Sequence, residues 1–180
     1  MRKILSLGVF LLMVLTACST GPLAEKYGGP YYTQVGLWAQ GGKHTSRNFE
    51  NGRFIPVNTR VYLIKSSRKT LTFRVPDRGG MTLEVINKPE YSGENIKDLF
   101  ARTFDEKKVN LGRFSKSVAE AIRKGELQSG MSKQAVLLAR GYPPVDQTSS
   151  RDSSVWTYWE SRYRRFSLTF ENGELTEINR

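Results

Sequence analysis

The sequence predicts an α+β protein in which a small all-β module comes first, and helices and a second group of strands follow. Two periodicities and a return to strands carry that reading. Leu71, Phe73 and Val75 alternate with Thr70, Thr72 and Arg74, and Met81, Leu83 and Val85 alternate with Thr82 and Glu84. This is the period of two that gives a strand one dry and one wet face. Ile96, Leu99, Phe100 and Phe104 then fall at i, i+3, i+4 and i+8, a single stripe along a helix. Beyond Gly125 the order becomes short helix, loop and three strands. A chain of 180 residues has room for one medium domain or two small ones. With 38% hydrophobic and 11% aromatic residues and a mean hydropathy of −0.46, it carries the apolar side chains a core needs.

The chain opens Met1-Arg2-Lys3 and runs apolar from Ile4 to Ala17, broken only by Ser6, Gly8 and Thr16. A helix of that length reaches about 21 Å, short of a hydrocarbon core of about 30 Å. A charged start, a short apolar stretch and small residues at its end make a secretory signal peptide, residues 1–17. Leu15-Thr16-Ala17-Cys18 resembles the lipobox of bacterial lipoproteins. That resemblance implies cleavage between Ala17 and Cys18, a diacylglycerol on the Cys18 sulfur and an acyl chain on the new amino group. One acyl chain holds a protein to a bilayer only marginally, whereas two or three hold it stably. Ser19 follows, where inner-membrane retention reads Asp, so the resemblance implies the outer membrane, with the body facing the periplasm. Loss of the leader leaves 26 basic against 17 acidic residues, a net charge of +9. Residues 18–30, rich in Gly, Pro, Ser and Thr, read as a flexible tether.

Residues 31–91 form the predicted β module. Arg60–Ile64 precedes the two alternating strands, with Ser66-Ser67-Arg68-Lys69 as the turn between the first pair. Upstream, Tyr32–Ala39 and Lys43–Phe49 flank Gly41-Gly42, Asn51-Gly52 signals a type I′ turn, and Pro56 belongs at a strand edge or bulge. Five or six short strands in this span suggest a half-open barrel of SH3-like kind. Residues 92–114 make a helical connector. Ser117-Val-Ala-Glu120 is a capping-box pattern, and Gly125 stops the helix that it starts.

Ser132 is the expected N-cap of the next helix, Val136 and Leu137 its inward residues, and Gly141 with Pro143-Pro144 its end. Val155–Trp159 and Arg165–Phe170 read as strands, and Glu171-Asn172-Gly173-Glu174 as a tight hairpin into Leu175–Ile178. Gly130-Met131-Ser132, Gln134, Val136, Gly141-Tyr142-Pro143, Trp156-x-Tyr158, Leu168-Thr169-Phe170 and Gly173-Glu174-Leu175-Thr176-x-x-Ile178, taken together over 115–180, resemble the BamE/SmpA/OmlA lipoproteins. The resemblance implies an ααβββ domain, two helices on one face of a three-stranded antiparallel sheet. It also implies an outer-membrane lipoprotein that supports β-barrel insertion by contacting assembly proteins and anionic phospholipid. The extra β module and the short, basic turn Glu160–Arg165 depart from that family.

The inventory bears on chemistry too. One Cys, taken up by lipid, and one His exclude a disulfide framework and multi-ligand Cys/His metal centres. His44, among Lys43, Thr45, Ser46 and Arg47, reads as a solvated surface residue, and Glu171 and Glu174 as solvated turn residues. A nucleophile needs a positioned base, and none presents itself. The expectation is therefore a protein that is not an enzyme, with no metal and no cofactor beyond the lipid on Cys18. Residues 31–93 hold ten Lys/Arg against four Asp/Glu. Export excludes nucleic acid as the partner, and a tethered basic body meets the inner leaflet of the outer membrane, anionic lipid or glycan, or envelope assembly proteins. Trp159, Arg162, Arg164, Arg165, Arg68 and Lys69 are the candidate contacts, since exposed Trp beside Arg suits a partner interface. An envelope assembly or scaffolding factor is the reading these features favour; a binding module for a peptidoglycan-like polymer, or an inhibitor of an envelope enzyme, is the alternative.

Overall fold

The computed structural model describes residues 28–180. The signal peptide, the cleavage site Ala17/Cys18, the lipid attachment at Cys18 and most of the tether lie outside the described residues. Seven strands and two short helices come first: β1 (Tyr31–Thr33), β2 (Leu37–Ala39), β3 (Lys43–Thr45), β4 (Arg53–Ile55), β5 (Arg60–Ser66), β6 (Thr70–Val75), β7 (Met81–Ile86), α1 (Pro89–Ser92) and α2 (Ile96–Thr103). They are followed by β8 (Phe104–Asp105), α3 (Lys116–Lys124), α4 (Lys133–Arg140), β9 (Val155–Trp159), β10 (Arg165–Glu171) and β11 (Glu174–Asn179).

This is not a small SH3-like barrel followed by an ααβββ domain. The described residues form one mixed fold: a curled six-stranded sheet in the order β3-β7-β6-β5-β1-β8, a three-stranded sheet β11-β10-β9, a two-stranded sheet β2-β4, and four α-helices. Two pairings account for the difference. β3 runs parallel to β7, with Lys43 opposite Glu84 and Thr45 opposite Ile86, so the sheet does not close as a meander would. β8, emerging directly from α2, pairs with β1 through Tyr32 and Asp105, which carries the sheet past residue 91. The Asn51-Gly52 pair does not make a tight hairpin either. β2 and β4 meet at Leu37 and Ile55 across a long loop that contains β3.

Two apolar clusters fill the structure. The first lies between the curled sheet and α2, where Phe73, Phe100 and Phe104 pack ring on ring and Tyr31 meets Phe100 edge-on at 5.1 Å. The helix starts because Asn95 caps it, its side chain accepting from the backbone N–H of Lys97 and Asp98. The second lies under α3, α4 and the three-stranded sheet, around Ile122, Met131, Val136, Trp156, Tyr158 and Leu168, and it takes in Val57 from the first part of the chain. Ser115 caps α3 by accepting from Val118, two residues earlier than the capping box at Ser117 suggests, and Gly125 ends it at φ 73°. Ser132 caps α4 by accepting from Ala135.

Backbone hydrogen bonds lock the two clusters together. The Gly36 N–H donates to the Leu138 carbonyl at 2.8 Å, the Glu50 N–H to Trp159 at 3.0 Å and the Val145 N–H to Tyr91 at 2.8 Å. At Gly36 the chains touch so closely that a Cβ there would lie 2.4 Å from the Ala139 carbonyl oxygen and 2.7 Å from the Phe54 ring. Neither the carbonyl nor the packed ring can withdraw cheaply. Gly36→Ala is therefore expected to destabilise the protein by about 1–3 kcal/mol, the cost of overpacking, read as a lower midpoint in urea unfolding. An unchanged midpoint would show that the seam is looser than this packing requires.

Candidate functional site

The strand β9 alternates as the sequence suggests. Trp156 and Tyr158 point into the second cluster and are fully buried, while Trp159 points the other way and is only half-buried. There two arginines lie against its indole. The Arg47 guanidinium lies 4.1 Å from the ring centroid, and Arg165 lies 5.3 Å from it. Arg47 also lies 4.9 Å from the Tyr91 ring and 5.2 Å from Phe49. Tyr91, Arg47, Trp159 and Arg165 therefore form a stack, drawn by cation–π attraction and built from four separate segments.

The turn between β9 and β10 continues this face outward. The Glu160 N–H donates to the Arg164 carbonyl at 2.9 Å, and the Arg164 N–H donates to the Ser161 hydroxyl at 3.2 Å, which fixes the turn. Arg164 pairs with Glu160, while Arg162 points to solvent and Tyr163 is 87% exposed. Arg165 donates to the Gln147 side chain at 2.7 Å. Trp159, Arg162, Arg164 and Arg165 are thus one continuous patch. Arg68 and Lys69 sit apart, exposed in the β5–β6 turn. That turn is tied by a 2.7 Å bond from the Asn87 N–H to the Lys69 carbonyl, next to the Lys88–Tyr91 segment that holds Arg47. Among the described residues Arg47, Arg68, Lys69, Arg162 and Arg165 have no carboxylate within ion-pair distance. Arg47 and Tyr91 were not singled out from the sequence, and no local pattern marks them. Their role comes from β3 and α1 being brought against β9.

Behind the patch lies a buried cation. The Arg140 side chain is 0% exposed, with Glu50 Oε2 3.4 Å away and the rings of Trp38, Phe166 and Tyr158 5.4, 5.5 and 5.9 Å from its guanidinium. Burial pushes the Arg140 pKa down, and Glu50 opposes that shift. Glu50 also takes Arg180, at 3.0 and 3.2 Å, and Arg180 reaches Glu160 at 3.3 Å. Hydrogen bonding to Glu50 raises the Arg180 pKa. The Tyr158 hydroxyl donates to the Gly141 carbonyl at 3.0 Å, and burial drives its pKa upward. Removing one partner of a buried pair strands the other charge, at about 3–5 kcal/mol. Glu50→Gln should therefore lower stability by about that much in urea unfolding, and Arg140→Met, which removes the stranded charge itself, should cost distinctly less. Equal costs would refute the assignment.

His44 is not a solvated surface residue. Only 7% exposed, it lies on β3, whose parallel register with β7 turns it toward the core, and its Nδ1–H donates to the Trp38 carbonyl at 3.0 Å. Burial lowers its pKa from 6.5 to about 4, the Trp38 bond opposing and Arg102 assisting. The unfolded chain takes up this proton near pH 6.5 and the folded chain only near pH 4. Stability is therefore level above pH 6.5 and falls as pH drops from 6.5 toward 4, by about 3 kcal/mol over that window. Because the sequence holds a single His, the component of the pH–stability curve between 4 and 6.5 should vanish in His44→Asn. Persistence of that component in the variant would assign it to carboxylates.

Among the described residues no group of three or more His, Cys, Asp or Glu side chains could hold a metal ion, and no helix is long and apolar enough to cross a membrane. Glu171 and Glu174 face each other across the β10–β11 turn, both exposed. Comparison of the chain with protein-family models, with curated proteins and with solved structures finds no match.

Proposed function

We propose that the protein is a lipid-anchored, non-catalytic scaffolding or assembly factor of the outer membrane's periplasmic side, docking through the Trp159 patch onto an acidic partner. One observation carries the docking reading: the Arg47–Trp159–Arg165 stack next to a turn that offers Tyr163 to solvent between Arg162 and Arg164. Aromatic and arginine side chains dominate the energetics of protein interfaces, and here the guanidiniums are held in place before any partner arrives. The anchor rests on the lipobox-like Leu15–Cys18, and the assembly role on the sequence resemblance over 115–180.

Two measurements test this. A photo-crosslinking amino acid at position 163, in cells, should capture envelope proteins, and the yield should fall at least fivefold when Arg162 and Arg165 are both changed to Gln. Capture of glycan alone, or a yield indifferent to the arginines, would overturn the docking role. Palmitate labelling should mark the wild type and be lost in Cys18→Ala; equal labelling would remove the anchor.

A further inference from the structure

Bordering the Trp159 patch, where the Val145 N–H donates to the Tyr91 carbonyl, the loop after α4 and the end of α1 line an open cleft of about 250 Å³ that includes Gly93, Glu94, Arg102, Tyr142, Val145 and Ser149. Two cations lie against one ring there. The Arg102 guanidinium lies 4.0 Å from the Tyr142 centroid and that of Arg151 5.7 Å from it. Arg102 pairs through Nε with Glu94 Oε1, on one edge of its fork. The Nη edge donates no hydrogen bond among the described residues, and Arg151 has no carboxylate within ion-pair distance. Two guanidiniums held by one aromatic ring repel, and a single carboxylate leaves one positive charge uncompensated. Ser149, with no hydrogen bond to its hydroxyl among the described residues, adds a donor at one wall, and Val145 and Pro143 supply an apolar one.

We propose that this cleft binds a small monocarboxylate, held bidentately by Arg102 and Arg151 with its body against Val145 and Pro143. Charge selects the class. One negative charge neutralises the site, whereas a phosphate dianion would meet the Glu94 carboxylate with a charge too many. The planar guanidinium fork suits carboxylate and phosphate alike, so it is charge that separates the two here. The volume lies below the range that drug-sized ligands occupy, so the ligand is on the scale of an acylated amino acid. The site lies beyond the docking role proposed above and shares no residue with the Trp159 patch.

The test uses the full chain labelled uniformly with ¹⁵N, titrated with N-acetylalanine, with its uncharged amide and with inorganic phosphate, and followed by NMR. Saturable shifts confined to Gly93, Arg102, Arg151 and residues 142–149 are expected with N-acetylalanine, and at least tenfold weaker binding with the amide and with phosphate. Arg151→Gln should weaken the carboxylate at least tenfold without altering the melting temperature, while Arg123→Gln, on the exposed side of α3, should leave it unchanged. Shifts that never saturate, an amide or phosphate that binds as well as the acid, or an Arg151→Gln variant that binds like the wild type would overturn the proposal. Crosslinking at position 163 is read separately, so failure of one does not entail failure of the other.

Discussion

A guanidinium keeps its proton at any pH a protein meets, so a buried arginine cannot escape its desolvation cost by becoming neutral. Arg140 imposes that constraint on this fold. Its side chain is fully enclosed, and among the described residues the one carboxylate within ion-pair distance is Glu50. Glu50 belongs to the loop between β3 and β4, whereas Arg140 ends α4, so compensating the cation requires the two ends of the molecule to meet. The neighbouring bonds follow the same geometry. Asn48 donates to the Arg140 and Tyr142 carbonyls at 2.7 and 3.0 Å, satisfying backbone acceptors that the end of α4 would otherwise leave bare. The tight Gly36 contact lies just beside them. The seam is thus specified by one charge and the acceptors around it, with apolar packing filling in behind.

The outward basic patch follows from that inner arrangement. Glu50 is spent on Arg140 and Arg180, and Glu160 on Arg180 and Arg164. Both carboxylates closest to the β9–β10 turn are therefore drawn inward or sideways. Arg47 and Arg165 are left with aromatic rings, not acids, as their neighbours, and Arg162 faces solvent. A protein whose total charge is only moderately positive acquires a strongly positive face in this way, because its acidic groups are consumed in holding the fold. Tethering by lipid at Cys18, where it occurs, would place that face within reach of other envelope components.

What the sequence discloses divides along the range of the interactions involved. Period-two alternation locates β6, β7, β9 and β10, spacing locates α2, and the Ser132 cap with the Gly141 stop locates α4, because those signals are local. The parallel β3–β7 pairing and the two-residue β8 leave no such trace, since three-residue strands show too little alternation to read and their partners lie some forty to seventy residues away. The expected barrel failed on those two strands. The same reasoning explains the site. Trp159 and the arginines of its turn are adjacent in sequence and stand out, but Arg47 and Tyr91 join them only through the long-range contacts that set β3 and α1 against β9. His44 hides for the same cause: among polar neighbours it looks solvated, and only the β7 register turns it inward.

The basic groups differ in how much freedom they keep, and that difference assigns them different work. Arg47 and Arg165 are pinned against Trp159, and Arg165 is bonded to Gln147 as well. Much of the rotamer entropy that a long cationic side chain would lose on binding has already been lost in folding. Arg68, Lys69 and Arg162 are exposed and unpaired, and would forfeit that entropy on contact. Their attraction nonetheless acts at a distance, over a Debye length of about 8 Å at physiological ionic strength. Free charges of this kind raise the rate of encounter with an acidic surface, whereas pinned guanidiniums fix its orientation once it arrives. A surface that combined only free cations would gather any polyanion. In the docking role proposed above, the pinned stack beside the exposed Tyr163 favours a shaped protein partner over a bare polyanion.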